Sequence, residues 1–140
     1  MMKDMDRIAQ VRAEGLCCAQ TLVQLGLDWR GEENEQLVQA VGGLCGGLST
    51  GKNCGALTGA ICMLSMFGLQ LARSEMIPEM VEWFAREYGG EQGNVNCLHI
   101  LGGDMQNRHE ICPALIQNTY LAAKDILLLH GFEMGGMLED

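Results

Sequence analysis

Ile8, Val11, Gly15, Cys18, Leu22 and Leu25 recur at alternating steps of three and four between Asp4 and about Leu27, the spacing of one face of an α-helix. This pattern predicts a single first helix with Cys18 in its inward stripe. Cys17 falls beside Ala13, Gln20, Thr21 and Gln24, a more polar face.

A second helix is expected from Glu32 to Val41, with Leu37, Val38 and Val41 inward and three glutamates near its positive N-terminal end. Gly42-Gly43 ends it. The glycine-rich segment GGLCGGLSTG, residues 42–51, reads as a loop able to adopt unusual backbone angles or pass close to other groups.

Asn53 is a good N-cap for a third helix reaching about Arg73. Gly55 with Gly59, and Ala56 with Ala60, are small residues four apart, so another helix can approach this one closely and make it central. Ser74 caps a fourth helix with Pro78 in its first turn and Ile77, Met80, Val81, Phe84 and Tyr88 inward, stopped at Gly89-Gly90.

A polar connector leads to a short helix over CLHILGGD, residues 97–104. The last helix is expected to open at Cys112-Pro113 and run to His130, stopped by Gly131, with Leu115, Ile116, Thr119, Leu121, Ala122, Ile126 and Leu129 buried. The terminal GFEMGGMLED, with Met134 and Met137 beside acids, reads as a fraying end. No long β-alternation interrupts these periods. The expected class is all-α, a compact bundle of about five to six helices forming a single domain over residues 1–140.

Composition supports one core: 140 residues, 48% of them apolar. Nine basic against eighteen acidic side chains give a net charge of -9, which repels phosphate backbones and anionic headgroups. Neither nucleic acid nor a membrane is expected as a partner. The uncharged stretch 53–72 is only weakly apolar and reads as a buried helix rather than a span. MMKDMDRIAQ lacks the apolar core of a signal peptide, so a cytoplasmic location is expected.

Seven cysteines then change the picture, because structural disulfides are rare in a reducing compartment. No CxxC or CxxCH is present, nor the paired spacings of a zinc ribbon. Cys54 after Asn53, Cys97 after Asn96 and Cys112 before Pro113 each fall at an expected helix start, where unpaired N–H groups and the helix dipole favour a thiolate. All three are expected to have depressed pKa values.

The same placement suits sulfur ligands of an iron-sulfur cluster, with Cys18 as the fourth. Cys17, Cys45 and Cys62 read as packing residues.

Other chemistry is weakly indicated. His99 and His109 lie near Cys97 and Cys112 and are secondary candidates as bases or ligands. Met63, Met66, Met76 and Met80 fall in apolar helical stretches and read as core. Aromatics are too few for a stacking platform, and GGLSTGKNCG lacks the order of a phosphate loop.

GLCCAQTL (15–22), the glycine-rich loop followed by CGALTGA (54–60), VNCLHILG (95–102) and ICPALI (111–116) together resemble the C_GCAxxG_C_C family, whose members are classed as redox-active. The resemblance spans nearly the whole chain and places the family's four cysteines on Cys18, Cys54, Cys97 and Cys112. It implies a small helical protein engaged in redox chemistry. Cys17 and Cys45 depart from the pattern and leave open which cysteines pair.

Three functions are thus expected. In the first, the four cysteines carry thiol-disulfide or electron exchange with an unidentified redox partner protein, Cys54 being the nucleophile. In the second they ligate a metal, an iron-sulfur cluster before zinc. In the third the protein is a helical interaction module with packing cysteines. The small-residue face and acidic exterior would permit a homodimer.

Overall fold

The computed structural model describes residues 2–133 and 138–139; the expectation for Met134 and Met137 lies outside them. Eight α-helices occur among these residues: α1 (Asp4–Ala13), α2 (Cys18–Arg30), α3 (Glu35–Val41), α4 (Gly55–Phe67), α5 (Leu69–Leu71), α6 (Ile77–Tyr88), α7 (Cys97–Ile100) and α8 (Arg108–Leu129). Two of them, α5 and α7, are single turns. The all-α class stands, with one addition: β1 (Met2–Lys3) pairs in parallel with β2 (Leu138–Glu139).

The expected first helix is two. Gly15 adopts φ 100°, its N–H meets the Arg12 carbonyl at 3.0 Å, and the Leu16 N–H reaches back to Val11 O at 3.1 Å. This is a Schellman ending, in which a left-handed glycine satisfies the last free carbonyls of α1. The stripe was real, for Ile8, Val11, Leu22 and Leu25 are all buried. Its phase simply carries across the break, so Cys18 becomes the first residue of α2 rather than a mid-helix one.

α3 starts at Glu35, later than expected, because the Asn34 side chain accepts the Leu37 N–H at 3.0 Å and caps it there. The glycine-rich loop has the unusual backbone its composition predicts. Positive φ extends beyond its glycines to Leu48 and Ser49, both at 59°.

α4 is the centre of the bundle, packing against α2, α6 and α8. The glycine pair explains how. A Cβ on Gly59 would lie 2.7 Å from the Cα of Ala19 and 2.9 Å from its carbonyl oxygen, so backbone meets backbone where α4 crosses α2. Met63, Met76 and Met80 are fully buried, in keeping with their reading as core. Each such side chain contributes roughly 1.5–3 kcal/mol by leaving water.

Elsewhere the expected boundaries shift. α4 stops at Phe67, where Gly68 is extended, and a helical stretch resumes at Leu69 and continues through wide turns at Ala72–Met76 into α6. Ser74 therefore caps nothing. Its hydroxyl donates to the Leu71 carbonyl at 3.4 Å. Among the described residues no helix is long and apolar enough to cross a membrane.

α8 begins at Arg108, four residues before Cys112, and carries Pro113 inside it. Its buried side also differs from expectation. Leu121 is exposed and Leu129 is 83% exposed, while Tyr120, Ala123 and Leu127 are buried; on α6, Val81 is exposed as well.

The reason for Tyr120 is polar. Trp29 Nε1 donates to its hydroxyl at 2.7 Å, and that hydroxyl and Lys124 Nζ each donate to Asp4 Oδ2 at 2.7 Å, a buried network joining α2, α8 and α1.

Candidate functional site

Cys18, Cys54, Cys97 and Cys112 all line one cleft of about 680 Å³, together with Cys17 and Cys45. Three of the four sit where helices start. Cys18 is the first residue of α2, Cys54 precedes α4 as its N-cap, and Cys97 is the first residue of α7. Cys112 does not, since α8 has already run for a full turn when it reaches the cleft.

Backbone pairing holds two of the thiols together. The Cys54 N–H donates to Val95 O at 2.9 Å, the Cys97 N–H to Lys52 O at 2.5 Å, and Asn53 bridges Asn96 between them. Segments 52–54 and 95–97 thus run as a short antiparallel pair. This fixes the Cys54 and Cys97 backbones before either helix turns away.

Cys17 and Cys45 form a disulfide, with Cα atoms 6.2 Å apart, which overturns their reading as packing residues. It ties the glycine-rich loop to the start of α2. The loop then passes the thiols closely: the Cβ that Gly55 lacks would stand 2.5 Å from Cys18 Sγ and 3.1 Å from the Cα of Cys45. Cys62 faces away, against the smaller cluster of Val23, Leu27 and Val41, in keeping with a packing role.

Electrostatics correct the expectation of low thiol pKa values. Burial pushes all four thiols up, and Cys54, only 6% exposed, is pushed up to about 12. N–H groups do point at the sulfurs, from Ala56 and Leu57 at Cys54 and from Ala19, Gly46 and Cys18 itself at Cys18. Desolvation outweighs them, because a buried sulfur loses more solvation on ionising than a few N–H dipoles return.

The thiols are not equivalent. Cys54 is pushed furthest, to about 12, whereas at Cys18 the Arg12 guanidinium favours the thiolate. Cys112, half-buried like Cys18, has Arg12 and Arg108 acting in its favour.

Of the two histidines, His109 lines this cleft. His99 lines a separate hollow with Lys52, Asn94 and Asn96.

An iron-sulfur cluster or a zinc ion would need its sulfur ligands to converge on one point. Among the described residues no three His, Cys, Asp or Glu side chains stand close enough to hold a metal ion. The four thiols share a cleft without forming a cage. They do not fit such a group as they are arranged.

The sequence model of the family described as "Putative redox-active protein (C_GCAxxG_C_C)" matches residues 16–126 of the chain. The chain belongs to this family. The C_GCAxxG_C_C match spans all seven cysteines, and the motif's two glycines are those that let α4 lie against Cys18 and Ala19. Arg12, on α1, lies outside the matched span. No curated protein and no solved structure matches the chain.

Sequence reasoning missed the disulfide and both arginines. Neither had a local signal. Cys17 and Cys45 meet only because the loop folds back over α2, and Arg12 reaches the cleft only because α1 ends at Gly15, with its Nη1 donating to Leu16 O at 3.1 Å.

Proposed function

We propose that the protein carries out thiol-disulfide exchange in this cleft, with Cys18 as the attacking thiol and Cys54 as its resolving partner. The observation that carries the reading is the gathering of four free thiols around a disulfide in one partly open cleft.

The Cys18 thiolate attacks one sulfur of a substrate disulfide, forming a mixed disulfide and releasing the other half as a thiolate. The Cys54 thiol, deprotonated as it attacks, then displaces the second half and closes a Cys18–Cys54 disulfide. Two electrons pass from protein to substrate, and the protons of the two cysteines leave on the two released thiols.

The greater exposure of Cys18 and the Arg12 guanidinium that favours its thiolate, against the burial of Cys54, favour Cys18 over Cys54, the nucleophile expected from helix placement, as the attacking group. Exchange needs only two neighbouring sulfurs, whereas a cluster needs four convergent ones. A partner redox protein would restore the dithiol. The cytoplasm, where free thiols persist, suits five of them beside one disulfide.

The test is trapping. In Cys54→Ser, a small disulfide should leave a stable mixed disulfide on Cys18, read by peptide mass spectrometry, and Cys18→Ser should lose the reaction. Unchanged rates in Cys18→Ser would remove Cys18 from this role.

A further inference from the structure

The charge of the cleft is opposite to that of the protein. The chain carries -9 overall, yet among the described residues the charged side chains lining the thiol cleft are Arg12 and Arg108, with no aspartate or glutamate. Three other arginines are held by carboxylates, Arg7 by Asp28, Arg30 by Glu32 and Arg86 by Glu82. Arg12 and Arg108 have no carboxylate partner among the described residues.

Arg12 is nevertheless held in place, through its hydrogen bond to the Leu16 carbonyl. Two guanidiniums with unspent donors therefore stand at a cleft lined by the four thiols together with Leu101 and Leu115.

Guanidinium recognises carboxylates through parallel N–H donors and stays charged at any working pH. A cleft of about 680 Å³ lies in the range that small molecules occupy, about 300–1,000 Å³. An anion carrying a carboxylate at each end and a disulfide between would match both features.

We propose that the cleft selects small anionic disulfides, with Arg12 and Arg108 holding the substrate's carboxylates while its disulfide meets Cys18. This rests on the thiol-exchange reading and adds the substrate's charge to it. The balance is that of the exchange above: one substrate disulfide is reduced to two thiols that keep their carboxylates, and Cys18 with Cys54 is oxidised to a disulfide. The carboxylates take no part in the electron transfer. They set the local concentration and pose of the sulfur that is attacked.

The experiment compares single-turnover oxidation of the full chain, with the four cleft thiols reduced, by 3,3′-dithiodipropionate, bis(2-hydroxyethyl) disulfide and cystamine, which are anionic, neutral and cationic. Each rate is divided by that of free 2-mercaptoethanol with the same disulfide, which removes intrinsic reactivity.

The anionic probe should lead the neutral one by roughly tenfold at low salt, with cystamine last, as electrostatic focusing into a cleft allows. The lead should shrink as salt is raised. The double variant Arg12→Gln/Arg108→Gln should bring the ratio toward one, and the salt response of the unmodified protein gives the same information should that variant fold poorly.

Equal normalised rates, or cystamine in the lead, would overturn the charge selection and leave thiol exchange standing. Failure of all three probes to oxidise the protein would sink the exchange reading itself.

Discussion

Gly55 and Cys18 are in contact across the α2–α4 crossing: a Cβ on Gly55 would fall 2.5 Å from Cys18 Sγ, well inside the van der Waals limit. The glycine of the CGAxxG motif is thus defined by a sulfur on another helix. Its partner Gly59 is defined by backbone, the Cα of Ala19 at 2.7 Å. One motif therefore serves two ends, the seating of a thiol and the close approach of two helices.

The two glycines should separate on substitution. Gly59→Ala forces helix backbones apart and should cost about 1–3 kcal/mol despite the better helix propensity of alanine, visible as a lower denaturation midpoint. Gly55→Ala meets the movable end of a side chain, with Cys45 Cα and Leu44 O next at 3.1 Å, and should cost less stability while changing the alkylation rate of Cys18. The idea fails if Gly55→Ala unfolds the protein as badly as Gly59→Ala and leaves Cys18 labelling unchanged.

The Cys17–Cys45 bond closes 28 residues, and a loop of that size is stabilising by about 3–4 kcal/mol through the entropy it removes from the unfolded chain. Reduction, or the double variant Cys17→Ser/Cys45→Ser, should lower the urea midpoint accordingly. The double variant is preferable to a single one, which would leave a free Cys45 beside Cys18. Equal midpoints for the oxidised and reduced protein would show that the bond does not constrain the fold.

Much of this architecture was legible because it rests on local period. Ile8, Val11, Leu22, Leu25, Met80 and Phe84 are buried as their spacing requires, and the four cysteines singled out by position do share a cleft.

What was illegible depended on distance. Gly15 fits an inward stripe as well as a helix end, and only the carbonyls of Val11 and Arg12 decide between the two. Tyr120 turns inward because Trp29 and Asp4 lie there, and Leu121 is exposed in consequence. The helix-start argument for the thiols counted the N–H groups at Cys54 and could not count the surrounding atoms that exclude water. That exclusion decides the sign of the shift.

The raised thiols give the protein an alkaline weakness. The ordinary cysteine value is near 9, and the folded state pushes Cys54 up to about 12, with Cys18, Cys62, Cys97 and Cys112 raised in the same direction. Between those values the unfolded chain has lost protons that the folded chain keeps. The unfolded state then binds fewer protons, so stability falls as pH rises through this window and is unaffected by these groups below it.

For Cys54 the loss is on the order of a few kcal/mol by pH 12. Thermal midpoints from pH 7 to 10.5 should bend downward near 9, and Cys54→Ala should flatten the bend. Iodoacetamide should meanwhile label Cys18 and Cys112, half-buried and favoured by arginine, before Cys54 and Cys97. A bend of the same slope in Cys54→Ala, or Cys54 labelled first at pH 8, would contradict the burial that sets its pKa.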